Sequence, residues 1–144
     1  MTEQEKNITI VKGMFDAFRR GDLKAIISSV ADKVDWRCPV TNDWSGPVTW
    51  GKPRHNRQEI ESFFKELLRD ITPVEMKPIR FTAQDDRVIV EGADHSKATA
   101  TGIEYLVNWV MVVTLWNGKV TLMHDYFDTA EIVRALEGRV SKAA

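Results

Sequence analysis

The fold is decided by residues 104–127, which read EYLVNWVMVVTLWNGKVTLMHDYF. Val107, Trp109 and Met111 alternate on one face of a predicted strand, and the apolar run at 109–115, broken only by Thr114, is typical of a buried strand. Asn117-Gly118 interrupts the alternation, and this dipeptide is the strongest short signal for a two-residue hairpin turn. The stretch therefore predicts an antiparallel hairpin of two strands, Glu104–Trp116 and Lys119–Phe127.

Two further strands are predicted before this hairpin. Residues 76–84 and 87–99 have the same two-residue period, with Asp85-Asp86 as the turn between them. Thr101-Gly102 provides the next turn, so the four strands form an antiparallel meander. After the last strand, Thr129 is predicted to cap a final helix with the apolar residues Ile132, Val133 and Leu136.

Helical periodicity dominates the beginning of the chain. The first helix has an apolar stripe formed by Ile8, Val11, Phe15 and Phe18. Gly21 ends this helix, since glycine favours the left-handed backbone that follows a helix C-terminus. Asp22 is predicted to cap a second helix that continues through Ala31.

A short strand, a loop and a third helix complete the N-terminal half. Residues 34–38 have a strand pattern, and residues 40–54 contain enough Gly and Pro to predict a long loop. Asn56 is predicted to cap the third helix, with Glu59 completing a capping box. Helices that are separate from an antiparallel sheet are typical of an α+β fold. The loop also contains two candidates for the mouth of a pocket, Trp44 and Trp50.

The composition excludes several classes of protein. A length of 144 residues predicts a single domain, 1–144, and a net charge of −1 gives no reason to expect a nucleic-acid partner. The basic run at 52–57 is predicted to be a solvated loop rather than an anion site. One Cys forbids an intrachain disulfide. Since the sequence contains neither a signal peptide nor an apolar run of ~20 residues, we expect a cytoplasmic protein without a membrane partner.

The order of these elements, with Gly21-Asp22 between the first two helices, resembles the nuclear transport factor 2-like superfamily. Its members include ketosteroid isomerase, SnoaL-like polyketide cyclases and limonene-epoxide hydrolase. The resemblance implies a curved sheet wrapped by helices around an apolar cone, and a homodimer formed through the sheet. Steroid isomerisation is not expected, because Cys38 stands before Pro39 where that family has its Asp base, and Met14 lies near the position of its Tyr.

Within this superfamily the last strand is most similar to that of limonene-epoxide hydrolase. Both contain an Asp-Tyr-Phe-Asp run, at 125–128 here, and this similarity implies that Asp125 is one of two catalytic carboxylates. Residues 90–94 resemble the strand that carries the other carboxylate, which falls on Asp94. The family's linking Arg is replaced by Gly92, and its water-holding Tyr and Asn are replaced by Trp36 and Cys38.

Strand periodicity gives an independent reason to pair the two acids. Asp94 shares a strand face with Val90, and Asp125 shares one with Met123 and Phe127. Two carboxyl groups that face one cavity push their pKa values apart, so one serves as an acid and the other as a base. We therefore expect an enzyme with neither cofactor nor metal that acts on a small hydrophobic molecule. Epoxide hydrolysis is the specific reaction, with isomerisation, cyclisation and dehydration as neighbours.

The remaining candidate residues are apolar or aromatic. We expect the substrate-binding surface to comprise Trp36, Cys38, Val107, Trp109, Met123, Phe127 and Ile132. Cys38 is interpreted as a buried apolar residue rather than a nucleophile. The outer sheet face is predicted to be a dimer interface that carries Tyr105, Asn108, His124 and Tyr126. Two alternatives stay open: Asp94 at a strand end that simply meets solvent, and a domain that binds a ligand or dimerises without catalysis.

Overall fold

The computed structural model describes residues 1–40 and 46–139. Within these ranges the helices are α1 (Glu3–Arg19), α2 (Leu23–Ser28), α3 (Arg57–Asp70) and α4 (Thr129–Leu136). The strands are β1 (Val30–Arg37), β2 (Arg54–Asn56), β3 (Ile71–Gln84), β4 (Arg87–Ala98), β5 (Glu104–Trp116) and β6 (Lys119–Phe127), and a short 3-10 helix, Thr49–Gly51, precedes β2. The predicted α+β fold is confirmed.

The strands form one curved, unclosed sheet in the order β2-β1-β6-β5-β4-β3. Strands β3 to β6 are the predicted antiparallel meander. Strand β1 adds to it in parallel with β6, and β2 pairs antiparallel with β1. Helices α1, α3 and α4 contact the sheet, and the core lies between these helices and the inner sheet face. Its most completely buried large side chains include Val11, Val30, Ile60, Val88, Val90 and Val120.

Side-chain caps mark the start of the first two helices, and Asp22 caps α2 as predicted. Thr2 and Glu5 form a reciprocal capping box at the start of α1, and Gly21, with φ of 73°, follows its end. The Asp22 carboxylate accepts the backbone N–H of Ala25 at 3.1 Å and caps α2. This helix ends at Ser28 rather than Ala31, because Val30 already pairs with β6 as the first residue of β1.

Strand β3 is longer than predicted. It begins at Ile71, which pairs with Ala98, and it runs through Pro73 and Pro78. Proline cannot donate to the hydrogen-bond ladder, and this favours the later start at Met76 from sequence alone. Because β3 is an edge strand, both prolines are tolerated there without disrupting the sheet.

Three other local predictions need correction. The predicted loop at 40–54 contains the 3-10 helix and the start of β2, while its candidate pocket residue Trp44 lies outside the described ranges. The cap of α4 is Asp128 rather than Thr129, because the Asp128 carboxylate accepts the N–H groups of Ala130 and Glu131 at 3.1 and 3.3 Å. Asn56 caps α3 as predicted, at 2.8 Å from the N–H of Glu59. The Glu59 carboxylate, however, reaches back to His55 N–H instead of Asn56 N–H.

Arg54 departs from the expectation of a solvated basic loop. Its side chain is only 3% exposed, and its guanidinium donates to the Glu66 carboxylate at 2.6 Å. The same guanidinium donates to the backbone carbonyls of Trp50, Lys52 and Glu59. This pairing allows a charged residue to join the core, which residue type alone does not reveal.

In the described part of the chain, no helix combines the length and apolar character that spanning a membrane requires.

Candidate active site

An apolar cavity lies between the helices and the inner sheet face, and it has two overlapping lobes. The α1 lobe has a cavity volume of about 120 Å³ and the α4 lobe about 80 Å³. The α1 lobe is lined in part by Val11, Met14 and Phe15, and the α4 lobe by Ile71, Tyr105 and Ile132. Both lobes are lined by Phe18, Phe63, Leu67, Met76, Met111 and Asp125.

The structure brings the candidate residues from the sequence to this one cavity. Trp36 and Met123 line the α1 lobe. Asp94 lines the α4 lobe, and Asp125 lines both. The remaining candidates, Cys38, Val107, Trp109, Phe127 and Ile132, line the α4 lobe.

Asp125 lies on the inner face of β6, between Met123 and Phe127, and pairs with Met111 on β5. Its Oδ1 atom is buried and has no hydrogen-bond partner within residues 1–40 and 46–139. Burial, followed by the charge of Asp94, raises the pKa of Asp125 from 3.8 to about 7. Its carboxyl group therefore exchanges protons near neutral pH, where an ordinary Asp is fully ionised.

Asp94 is placed in the cavity by the alternation of β4. Burial raises its pKa, while a hydrogen bond from Ser96 opposes the rise. The Ser96 hydroxyl lies 3.0 Å from both Asp94 carboxylate oxygens and is itself 1% exposed. This hydroxyl stabilises the ionised form of Asp94, so the two acids have different environments. Asp94 is the acid that ionises first, and its charge helps Asp125 to retain a proton.

Two indole N–H groups in the cavity wall also lack partners. The Nε1 atoms of Trp36 and Trp109 are buried, and neither donates a hydrogen bond to any residue that the structure describes. Trp36 packs its edge against Phe63 and Phe64, with ring centroids 5.6 and 6.0 Å apart. An unsatisfied buried donor is costly, so each of these groups requires an explanation.

Trp109 explains why position 92 is a glycine. Gly92 and Trp109 are cross-strand partners, and the indole lies over the Gly92 backbone. A Cβ at position 92 would lie only 2.5 Å from Trp109 Cη2 and 2.6 Å from Cε2. The position at which the limonene-epoxide hydrolase resemblance places a linking Arg is therefore filled by an aromatic ring.

Cys38 is buried beside the carboxyl group, at 7% exposure. Burial and the charge of Asp125 raise the pKa of its thiol well above the usual value. The thiol therefore stays protonated and forms part of the cavity wall, since a nucleophilic cysteine requires an accessible thiolate.

Sequence reasoning misplaced or missed several lining residues. Tyr105 was predicted on the outer face, but it is 4% exposed and lines the α4 lobe. Its position has the same strand parity as Val107 and Trp109, so the alternation of β5 carried the correct signal. Burial and the charge of Asp94 raise the pKa of Tyr105. Ser96 was missed, although the parity of β4 places it on the same face as Asp94.

In the described ranges, no group of three or more His, Cys, Asp or Glu residues is arranged so that it could hold a metal ion. The cavity instead presents two carboxyl groups, one phenol and two indole N–H groups in an apolar wall. These groups can exchange a proton with a bound molecule and donate hydrogen bonds to it.

Comparison with solved structures shows how widely this fold occurs. A protein described as NTF2-like and of unknown function, from Burkholderia pseudomallei, is 26% identical, with a TM-score of 0.84 over 94% of this chain and 98% of that one. TerC, co-crystallised with polyporic acid, is 24% identical, with a TM-score of 0.79 over 92% and 98%. A putative polyketide cyclase from Xanthomonas campestris is 19% identical, with a TM-score of 0.79 over 94% and 99%.

One of the two sequence comparisons identifies the family. No curated protein matches this chain. The family model of the SnoaL-like domain, however, matches residues 11–123, which include the second half of α1 and nearly all of the sheet up to Met123 on β6. The chain therefore belongs to the SnoaL-like domain family, within the NTF2-like superfamily.

Proposed function

We propose that this protein is a cofactor-independent enzyme that moves a proton on a small hydrophobic substrate, as an isomerase or a cyclase does. The observation that carries the proposal is the carboxyl group of Asp125. It lies in an apolar cavity with Oδ1 unpartnered among the described residues and with a pKa raised to about 7. A general base or acid is most effective when its pKa lies near the working pH.

The reaction that fits this group is proton transfer beside a carbonyl. Ionised Asp125 takes a proton from the carbon next to the carbonyl, and the C–H electron pair becomes the C=C bond of an enolate. The carboxyl group then returns the proton to carbon, at a new position in an isomerisation. In a cyclisation, the enolate carbon instead attacks a second carbonyl, whose oxygen receives the proton. Asp94 contributes by its charge, which adds to the larger effect of burial in raising the pKa of Asp125 to about 7.

Epoxide hydrolysis is the second candidate. The pair Asp94 and Asp125 favours it, because one acid activates water while the other protonates the opening oxygen. Trp36 and Cys38 hold water poorly, since an indole only donates hydrogen bonds and a thiol is a weak partner. Tyr105 is the remaining group for this role, since its hydroxyl belongs to the same lobe as both acids.

Neighbours of the same fold are consistent with small-molecule chemistry. One is described as a putative polyketide cyclase, and TerC was co-crystallised with polyporic acid. We carry over from them only the general expectation that the cavity admits a small organic molecule. Catalysis and simple binding are distinguished by whether Asp125 transfers a proton to or from the bound molecule.

The decisive experiment follows exchange of carbon-bound hydrogen. A panel of small aryl ketones, including 1-tetralone, is incubated with the protein in deuterated buffer, and deuterium uptake beside the carbonyl is followed by NMR. We expect the wild type to accelerate uptake and Asp125→Asn to lose ~10²–10⁴-fold of that acceleration. The rate should rise with pH through about 7, because the ionised carboxyl group is the base.

The control is Asp86→Asn, which changes an exposed acid in the turn between β3 and β4. It should exchange at the wild-type rate, and circular dichroism should show that both variants are folded. A terpene-like epoxide tested in parallel separates the second candidate from the first. Ketones and epoxides that bind without reacting would contradict both and favour a binding domain.

We also propose that the outer sheet face pairs with a second copy of the chain. Its exposed apolar side chains include Ile79, Leu106, Val110 and Tyr126, with exposures of 66%, 71%, 36% and 52%. A patch of this kind on a monomer would be unusual. Light scattering should give twice the chain mass of 16.5 kDa, and a mass of one chain at micromolar concentration would refute the dimer.

A further inference from the structure

The cavity contains two hydrogen-bond donors that the proton-transfer chemistry of Asp125 does not itself require. Trp36 and Trp109 are 5% and 4% exposed, and each has a buried Nε1 without a partner in residues 1–40 and 46–139. Both tryptophans line the cavity, Trp36 in the α1 lobe and Trp109 in the α4 lobe. Buried indole N–H groups usually donate a hydrogen bond to an acceptor. Two such groups without an acceptor, both on tryptophans that line the same cavity, therefore require an explanation.

The sheet places the two indoles on either side of Asp125. On β1, Trp36 pairs with Met123, and on β5, Trp109 pairs with Phe127. Asp125 lies between Met123 and Phe127 on β6, and so it is the diagonal neighbour of both indoles. Strand β5 is antiparallel to β6, and diagonal residues of such a pair, here Asp125 and Trp109, are about 7–8 Å apart, within reach of large aromatic side chains. Trp36 lies on the other side of β6, on the parallel strand β1.

Packing holds the Trp109 indole in a fixed orientation. One side of it covers Gly92, and Phe15 stacks on it with ring planes 15° apart and centroids at 5.5 Å. Trp36 is similarly held by edge contacts with Phe63 and Phe64. Neither ring can turn to find another acceptor without disturbing these contacts. Donors that are fixed before the ligand arrives do not lose binding energy to reorganisation.

The charge of the cavity defines the ligand further. Its two lobes are lined by the acids Asp94 and Asp125, and neither lining includes a Lys or Arg among the described residues. An anionic ligand would be repelled by the acids and would find no cation. A purely hydrocarbon ligand would leave both indole N–H groups unsatisfied.

We propose that Trp36 and Trp109 are the hydrogen-bond donors that select the ligand, which is an uncharged, mainly apolar molecule carrying ketone or similar acceptor oxygens. This inference rests on the proposed function only for the reacting carbon, which is placed against Asp125 between the two donors. The oxygen of such a ketone gains negative charge as the proton leaves carbon. Indole donors that reach that oxygen would bind the enolate more strongly than the ketone.

The test compares two probes of nearly the same shape, 1-tetralone and its parent hydrocarbon tetralin, which lacks the oxygen. Binding of each is measured by calorimetry to the wild type, Trp36→Phe and Trp109→Phe. Phenylalanine keeps an aromatic ring and removes the N–H. We expect the wild type to prefer the ketone, and each variant to lose about tenfold of that preference, with tetralin affinity little changed.

The control is Trp116→Phe, which alters a tryptophan that is 70% exposed. It should keep the wild-type preference. Equal weakening of both probes in the cavity variants would assign the tryptophans to packing alone and overturn the proposal, as would a wild type that does not prefer the ketone.

Asp125→Asn separates this inference from the proposed function. It should retain the preference for the ketone, since both indoles are intact, while losing deuterium exchange. A ketone preference that depends on the indoles, in a wild type that exchanges no deuterium, would support the donors and refute the enzyme. Deuterium exchange in a wild type that does not prefer the ketone would support the enzyme and refute the role of the two indole donors.

Discussion

Two groups of buried charged residues differ in how completely they are satisfied. Arg54 is 3% exposed, and its guanidinium donates to three backbone carbonyls and to Glu66. Asp125 faces the cavity with Oδ1 unpartnered in the described ranges, and its neighbour Asp94 has the same sign of charge. The first group pairs opposite charges, whereas the second brings like charges together.

The pKa shifts follow this contrast. Burial by itself would raise the pKa of Glu66, but Arg54 and Lys52 hold it below its usual value. Burial and Asp94 act in the same direction on Asp125 and raise its pKa to about 7. The satisfied group holds the segment around β2 against α3, whereas the unsatisfied group leaves the Asp125 Oδ1 atom without a partner in the described ranges. The same type of group, a carboxyl group that is at least partly buried, is thus ionised in one region and holds its proton to near neutral pH in the other.

The largest expected effect on stability comes from neutralising the unsatisfied group. Between pH 3.8 and about 7 the folded protein binds a proton at Asp125 that the unfolded chain has released. The free energy of unfolding therefore falls as pH rises, by about 4 kcal/mol in total. Asp125→Asn removes this loss, so at about pH 8 the variant should be more stable than the wild type by up to that amount.

Urea denaturation at several pH values measures this difference. The gap between the variant and the wild type should close as pH falls below 3.8, where Asp125 is protonated in both the folded and the unfolded chain. A constant gap at every pH would mean that the Asn side chain acts through packing and not through the buried charge.

Removing Arg54 from the satisfied group should lower the free energy of unfolding, whereas Asp125→Asn should raise it. Arg54→Met leaves Glu66 and three carbonyls without their donor and should lower the free energy of unfolding by about 3 kcal/mol. The matched control is Arg19→Met, whose partner Asp16 is also on the surface, and it should change stability by less than about 1 kcal/mol. Equal losses in the two variants would show that the buried pair has no special role.

A third prediction concerns the glycine beneath Trp109. Gly92→Ala should destabilise the protein by about 2 kcal/mol, because the new methyl group overlaps the indole. Gly13→Ala is the matched control, since no atom lies within 4 Å of its Cβ and its position is helical. This control should be neutral or stabilise the protein by up to about 1 kcal/mol. Thermal denaturation of both variants distinguishes crowding from the general effect of replacing glycine.

The smallest expected effect on stability comes from the hydrogen bond that Ser96 donates to Asp94 and that Asp125 lacks. Ser96→Ala removes the hydroxyl that lies 3.0 Å from the Asp94 oxygens, so the pKa of Asp94 should rise further. The stability at neutral pH should fall by about 1–2 kcal/mol. Carboxyl ¹³C NMR titration measures the pKa, and Ser62→Ala on the exposed face of α3 should leave it unchanged. An unaltered Asp94 titration in Ser96→Ala would show that this hydroxyl does not tune the acid.

Strand periodicity accounts for most of what the sequence could predict. The alternation of β4 and β6 was sufficient to direct Asp94 and Asp125 toward one cavity, because side-chain direction on a strand depends only on parity. The same rule would have placed Tyr105 inside, had it been applied consistently along β5.

Other features depend on contacts that sequence patterns do not contain. Arg54 is buried because Glu66, twelve residues away, meets it in the folded protein. The early start of β3 depends on its position at the sheet edge, where Pro73 does no harm. The unpartnered indoles are visible only once every neighbouring acceptor has been located.

The parallel pairing of β1 with β6 has a consequence for the time at which the cavity forms during synthesis. Val30 pairs with Val120, so ninety residues must be made before β1 meets its partner strand. At ~5–20 residues per second, β1 waits on the order of ten seconds on the ribosome. The hairpins of β3 to β6 are local in sequence and can form as they emerge. The pairing of β1 with β6 joins residues that are far apart in sequence, so it forms late. Trp36 and Asp125 come to lie on neighbouring strands only after that pairing, so the nascent chain carries an apolar sheet without the candidate site until nearly the whole chain is made.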